Sequence, residues 1–284
     1  MDKPLVTILS IAASDPTSGA GVQADLKAAA HCGVYAMTAL TAVTSQNSKG
    51  ICEVFAVPPQ TLRKQLECIF DEVTPDAIKI GMIGSIENGK EIASFIKEKA
   101  GCVPVIIDPV LSASAGGDIC ISQHKIIDFY INNLLHLATV VTPNLKEGEQ
   151  FLGRTIDNLI DDASDLLNLF ESKGVVLKGG HSNGCLLTDL LTWKDREGKT
   201  RHEESVGKRV DTFNLHGTGC TYASLLASFI AMGENLPTAF QHACQTVRMI
   251  ISRSDSYSLG RSDYGPLNTL DFITSNNLLK TNKL

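Results

Sequence analysis

Short apolar runs alternate with longer amphipathic ones along this 284-residue chain, the rhythm of a mostly parallel sheet covered by helices. The runs Val6–Ala12, Met37–Val43, Ala77–Ile80, Val103–Ile107, Thr139–Val141 and Val175–Leu177 read as strands. Helical patterns fill the gaps over Gly21–His31, Pro59–Asp71, Glu87–Lys99, Ser122–Leu135, Leu145–Leu152 and Ile160–Glu171. Pro59 opening the second helix and Gly33 just past the first are boundary residues, since proline has no N–H to leave unpaired and glycine tolerates a left-handed turn. Ile51–Val57 reads as an extra strand stopped by Pro58-Pro59. Cys185–Trp193 and Thr200–Val206 read as a hairpin around Asp195-Arg196-Glu197-Gly198. With no repeat, linker or composition break, residues 1–267 are expected to form one α/β domain and 268–284 a polar tail.

Bulk properties exclude several classes. The apolar fraction of 43% suits a soluble protein with a sizeable core, and a net charge of −6 without a basic run argues against a nucleic-acid partner. Eight cysteines without C-x-x-C pairs fit neither a disulfide framework nor a zinc site, and point to a reducing cytoplasm. The first apolar run lacks a cleavage site and leads into a polar loop, so it reads as a strand and not a signal peptide. No apolar stretch is long enough to span a membrane.

Open α/β sheets bind ligands beyond the carboxyl ends of their strands. On this reading Asp15, Gly81, Asp108, Asn144, Lys178 and the turn 217–220 all fall at such ends. The turn is Leu215-His216-Gly217-Thr218-Gly219-Cys220, and it runs into the helix-patterned segment Thr221–Met232, the penultimate long helix. Two glycines one residue apart let main-chain amides converge, and a helix N-terminus adds about half a positive charge, so the point suits a phosphate. Cys220 sits in the first turn, where a thiol's pKa is expected to fall. The plain alternative is a turn and cap with Cys220 as a packing residue.

Other segments allow two readings each. Asp15, in Ser14-Asp15-Pro16-Thr17-Ser18-Gly19-Ala20-Gly21, faces a ligand or caps the first helix. Gln46, following a strand, carries an amide able to read the edge of a heteroaromatic ring, the alternative for this stretch being loop-turn chemistry by Asn47; Met82 can pack on the ring's face, the default being a core methionine. Asp108 ends a very apolar strand, where an ionised carboxylate needs a cation or donors; the alternative is a turn residue. Asn144 and Glu147 share one face of a helix start, as magnesium ligands or as a capping box. Lys178, beside two glycines, suits a phosphate. His181 and His216 are loop histidines, more simply surface residues than ligands, and the other seven cysteines are assigned to packing. The spacing matches neither a dinucleotide fingerprint nor a P-loop, and there is no protein-kinase signature set.

Taken in order, these segments resemble the ribokinase-like superfamily, and within it the hydroxymethylpyrimidine/phosphomethylpyrimidine kinases of thiamine biosynthesis. The matching stretches are Ser14-Asp15 with Ser18-Gly19-Ala20-Gly21-Val22-Gln23-Ala24-Asp25, Gly33-Val34-Tyr35, Thr41-Ala42-Val43-Thr44-Ser45-Gln46-Asn47 and Lys79-Ile80-Gly81-Met82. Asp108-Pro109-Val110, Thr142-Pro143-Asn144 with Glu147, Lys178-Gly179-Gly180-His181 and His216-Gly217-Thr218-Gly219-Cys220 follow, so the resemblance extends to about Leu267. It implies a three-layer α/β/α fold with a mostly parallel central sheet, a cytoplasmic homodimer, and ATP and Mg²⁺ as cofactors. The reaction it implies is phosphorylation of a hydroxymethyl group on a pyrimidine, then of the monophosphate to the diphosphate. Cys220 would be the general base, with the N–H groups of Gly217, Thr218 and Gly219 as the anion hole. Gln46 and Met82 would hold the pyrimidine, with Val110, Gly21 and Asp15 around it. Asn144 and Glu147 would organise magnesium, Asp108 would sit near metal and phosphates, and Lys178 would contact ATP phosphate. Ala13 and Ser45 stand where the family more usually has Gly and Ala, and Pro16-Thr17 changes the first loop; these departures bear on substrate preference.

Three rivals are weighed. A pyridoxal or pyridoxine kinase acts on a similar hydroxymethyl heteroaromatic. A thiol enzyme with Cys220 as nucleophile needs a positioned base, and His216 is poorly placed for it. A non-catalytic pyrimidine sensor leaves Asp108, Asn144, Glu147, Lys178 and Cys220 together without a purpose.

Overall fold

In a strand, successive side chains point to opposite faces of the sheet, so a run that is apolar throughout must be covered on both sides. The computed structural model describes residues 5–47, 50–111, 123–181, 185–255, 259 and 265–269. Its strands are β1 (Thr7–Ser14), β2 (Tyr35–Asn47), β3 (Gly50–Ala56), β4 (Ala77–Ile80), β5 (Val105–Ile107), β6 (Val140–Val141), β7 (Gly174–Leu177), β8 (Leu186–Lys194) and β9 (Thr200–Lys208). The helices are α1 (Gly21–His31), α2 (Pro59–Glu72), α3 (Ile86–Phe95), α4 (Gln123–Phe129), α5 (Leu145–Leu152), α6 (Leu159–Phe170), α7 (Thr218–Ala231) and α8 (Leu236–Ser254).

The described strands join one sheet in the order β3-β2-β1-β4-β5-β6-β7-β8-β9. The six strands from β2 to β7 in that order are parallel, while β3 at one edge and β8 with β9 at the other pair antiparallel. Alternation sorts the core into two layers. Leu9, Ile11, Ile78, Ile80, Ile107, Val141 and Val175 pack with Leu62 and Leu66 of α2, Phe95 of α3, Phe129 of α4, Phe151 of α5 and Phe170 of α6. Their neighbours Ile8, Ala77, Ile106, Val140 and Val176 face the other way, onto Ala28 and Ala29 of α1, Leu225 and Leu226 of α7, and Phe240 of α8. This is the expected three-layer α/β/α fold with a mostly parallel sheet.

The structure differs from the sequence reading in a few places. β2 runs to Asn47, beyond the expected Val43, because β3 pairs with it as far as Gly50, so Gln46 lies on a strand and not in the loop after one. The fourth helix continues past Phe129 as a wider turn over Tyr130–Leu134 and a tighter one over Leu135–Leu137. The pattern gave no bounds for α8, the longest described helix at 19 residues. Leu267 is buried in the α7–α8 layer. The expected helix start at Ser122, Cys120, the His181 side chain and residues 270–284 lie outside the described residues.

The chain crosses from β1 to β2 on one side and returns to β4 on the other. Such a reversal parts the connections at the carboxyl edge and leaves a crevice there. α7 packs on α1, β1, β4 and β5, which brings its first turn to that crevice.

Candidate active site

Two residues beyond Ile8, Ala77, Ile106, Val140 and Val176, on the same face, stand Ser10, Lys79, Asp108, Thr142 and Lys178. Strand parity therefore delivers five polar groups to the layer occupied by α7. Lys178 donates to Asp108 Oδ1 at 2.7 Å, and Thr142 Oγ1 donates to the same oxygen at 3.1 Å. Burial pushes the Asp108 carboxyl up, but Lys178, Lys79 and these hydrogen bonds outweigh it and hold the group below its ordinary range. Lys178 is likewise opposed by burial, yet Asp108 and Glu147 keep it charged.

The first turn of α7 meets this pair. A Cβ on Gly219 would lie 3.5 Å from Asp108 Oδ2 and 3.5 Å from Lys178 Nζ. Gly217 caps the helix at φ +85°, and a side chain there would strike the Gly19 carbonyl oxygen at 1.8 Å, so only glycine fits. The expected three-amide hole is altered, because the Thr218 N–H turns back onto Leu215 O at 3.2 Å. The Gly219 and Cys220 amides, next in the turn, have no acceptor among the described residues, as expected for a helix start.

The Cys220 thiol is not depressed as its place in the turn suggests. Burial pushes it up to about 11; Lys79 and the Gly21 N–H act against this, while Asp25 and Asp108 add to it. Gly21 is itself constrained, at φ +59° with the Ala13 carbonyl oxygen 2.3 Å from a would-be Cβ.

Asp15 is fully buried and does not cap α1, whose N-cap is Ala20 without a side-chain bond. Its carboxylate accepts from Thr17 N and Oγ1, from Ala20 N at 2.8 Å, and pairs with His216 Nε2 at 3.0 Å. Burial opposes ionisation, but these donors outweigh it and hold the carboxyl far below its ordinary range. His216 is thus a buried residue tying the β1 loop to the glycine turn, not a surface histidine. That tie also turns its Nε2 to Asp15 and away from any service as a base for Cys220.

Gln46 at the end of β2, Met82 after β4 and Val110 after β5 are half-buried along this same edge. Thr41 Oγ1 fixes the Met82 carbonyl at 2.6 Å. Asn144 and Glu147 form a full capping box at α5, with Asn144 Oδ1 accepting the Glu147 N–H and Glu147 Oε2 accepting the Asn144 N–H. Each of the two side chains gives one oxygen to the cap, and Glu147 keeps Oε1, beside Asp108, for a cation. Burial, with the charge of Asp108 adding to it and Lys178 opposing, raises Glu147 to about 8.

Sequence reasoning gave no role to Asp25 and Lys79. Lys79 stands in the short strand Ala-Ile-Lys-Ile, where a charge on the α7 face must find a buried partner, and that parity was the available signal.

The phosphomethylpyrimidine kinase family profile matches residues 15–268 of the chain. The hydroxymethylpyrimidine/phosphomethylpyrimidine kinase of Staphylococcus aureus is 36% identical over 282 residues, covering 98% of each protein. The phosphomethylpyrimidine kinase of Clostridium difficile superposes with a TM-score of 0.72 at 32% identity, covering 87% of this chain and 99% of that one. An ADP complex of Bacillus subtilis pyridoxal kinase superposes with a TM-score of 0.80 at 30% identity, covering 94% and 98%. A glycine-built helix start facing an aspartate–lysine pair at the switch point, with sequence likeness across nearly the whole chain, places this protein in the phosphomethylpyrimidine kinase family.

Proposed function

We propose that this chain transfers the terminal phosphoryl group of ATP to the hydroxymethyl group of 4-amino-5-hydroxymethyl-2-methylpyrimidine, and then phosphorylates the monophosphate to the diphosphate, as a step of thiamine biosynthesis. The observation that carries it is Gly219, whose missing side chain leaves open the point where the α7 amides, Lys178 and Asp108 converge. Phosphoryl transfer passes through a loose transition state, so positioning and charge neutralisation supply most of the rate. The Gly219 and Cys220 amides, and Gly217 through its cap geometry, would receive the migrating group, with Thr218 fixing the turn. Lys178 would exchange its bond to Asp108 for one to an ATP phosphate. The substrate oxygen attacks phosphorus, the bond to the ADP oxygen breaks, and the hydroxyl proton goes to the Cys220 sulfur, which accepts it as the thiolate. Gln46, Met82, Val110 and Gly21 would enclose the pyrimidine, and Asp15 would hold the loop that closes that side.

Asp108 and Glu147 both lie near Lys178, and burial, with the Asp108 charge adding to it, raises Glu147, a cost of ionisation that a bound cation would offset. Mg²⁺ fits there when held mainly by nucleotide phosphates and water, with Glu147 and Asp108 as outer partners and Asn144 orienting Glu147. When bound it would neutralise phosphate charge. Free thiols at all seven described cysteines support a cytoplasmic setting. A homodimer is supported by Val43 and Phe55, an exposed cross-strand pair on the edge hairpin β2–β3. The catalytic unit is the single domain ending near Leu267.

Mass spectrometry after incubation with ATP, magnesium and hydroxymethylpyrimidine tests the reading; absence of both mono- and diphosphate would overturn it. The pyridoxal kinase superposition favours pyridoxal as the second candidate substrate, and competition between the two substrates in one assay ranks them.

A further inference from the structure

Burying charge is costly, and paired ions in a protein core can often be replaced by apolar residues with no loss of stability. Yet the side chains of Lys79 and Asp25 are both 0% exposed, with Nζ 2.9 Å from each carboxylate oxygen. Asp25 also accepts from the Ser10 hydroxyl at 2.5 Å and the Ser224 hydroxyl at 2.8 Å, so four elements meet on it. Lys79 has three ammonium protons; two go to Asp25, and the third has no acceptor among the described residues. A Cβ on Gly81 would lie 2.8 Å from Nζ, so the missing side chain makes room for this ammonium at the carboxyl end of β4. Helical register ties the pair to the thiol. Ser224 is one turn beyond Cys220 in α7, and Asp25 is one turn beyond Gly21 in α1, whose N–H donates to the Cys220 sulfur.

We infer that Lys79, oriented by Asp25, is a positioning residue for Cys220: its charge favours the thiolate that takes the proton of the substrate hydroxyl, while the pair locks together the helix starts that hold the sulfur. The inference rests on Cys220 being the base. Lys79 keeps its own proton throughout, because Asp25, then Cys220 and Asp108, outweigh burial and hold the ammonium charged. The charged groups acting on the sulfur are Lys79 from β4, Asp25 from α1, Asp108 beyond β5 and Lys178 beyond β7. Asp25 and Asp108 both disfavour the thiolate, which leaves the lysines to support it.

The test is a kinetic cycle on the full chain with Asp25→Asn/Lys79→Met, Cys220→Ala and their combination, each also melted thermally. Removing both charges together avoids stranding one of them. The double variant is expected to fold, to keep KM, and to lose about three- to tenfold in kcat, less than one uncompensated charge would cost because the opposing Asp25 charge is removed with that of Lys79. In the Cys220→Ala background the same change is expected to alter kcat by no more than about twofold, because residues acting through one group are not additive. A second readout is alkylation of Cys220 followed by peptide mass across pH, whose midpoint should rise in the double variant. Unchanged kcat in a folded double variant, or losses that multiply with that of Cys220→Ala, would overturn the inference. A Cys220→Ala enzyme with parental kcat would instead sink the base reading itself. Lys79→Arg, which keeps the charge, should retain more kcat than Lys79→Met, and equal losses would also count against the inference.

Discussion

Lys178 bonds Asp108 at 2.7 Å, and the pair lies under Gly219 in the first turn of α7, which has no side chain to shield it. The lysine is therefore already charged and aimed before any nucleotide arrives, and its partner is an anion that a phosphate oxygen can replace. Lys178→Met is expected to lower kcat/KM by about 10²–10³-fold, the scale for one electrostatic donor in a dry site, with KM for ATP rising as well. Steady-state kinetics at varied ATP check this; unchanged parameters would remove Lys178 from the nucleotide site.

Gly219→Ala separates stability from activity. The new methyl would sit 3.5 Å from its nearest neighbours, ordinary contact distance, and alanine is no worse than glycine in a helix. Thermal stability should hold, whereas turnover should fall about 10²–10³-fold because the methyl fills the place of the migrating phosphoryl and screens the amides. Gly217→Ala is the opposite case, with a positive φ and a backbone oxygen 1.8 Å away, and should lower the melting temperature. A stable, fully active Gly219→Ala enzyme would refute the cradle.

The layers and the sheet edge were legible because strand parity and strand ends are written in the sequence. Ile106-Ile107-Asp108 and Val176-Leu177-Lys178 each place the charged residue on the face of their first apolar residue. What was not legible depends on contacts between distant segments. Nothing local indicates that His216 pairs with Asp15, 201 residues away. The thiol's pKa was misjudged for the same reason. The helix start near Cys220 is visible in the glycines, but the burial and the two carboxylates that outweigh it come from α1, β5 and the packing of the layer.

Cys220→Ala is expected to lose about 10²–10⁴-fold in turnover, the span of a general base. With its thiol raised to about 11, Cys220 should also react with iodoacetamide more slowly at neutral pH than the exposed Cys52, Cys68, Cys102 and Cys185. Peptide mass mapping over a time course measures this. Preferential labelling of Cys220 near neutrality would mean a depressed thiol and a different local field.

Asp15 gives the fold an acid-labile element. Its carboxyl is held far below 3.8 because the donors from His216, Thr17 and Ala20 outweigh burial. A group depressed in the folded state contributes stability that is fully present above its unfolded pKa and is lost as pH falls through the folded one. Urea midpoints for the parent should therefore drop on acidification from about pH 5 to about pH 2, where the unfolded chain binds the proton first. Asp15→Asn keeps the shape but loses the charge; it should be less stable at neutral pH by about 1–3 kcal/mol, the cost of weakening a buried set of donors. Its stability should also vary less with acid than the parent's over that window, so the two curves converge at low pH. Parallel curves would show that the bond between Asp15 and His216 does not set the acid response.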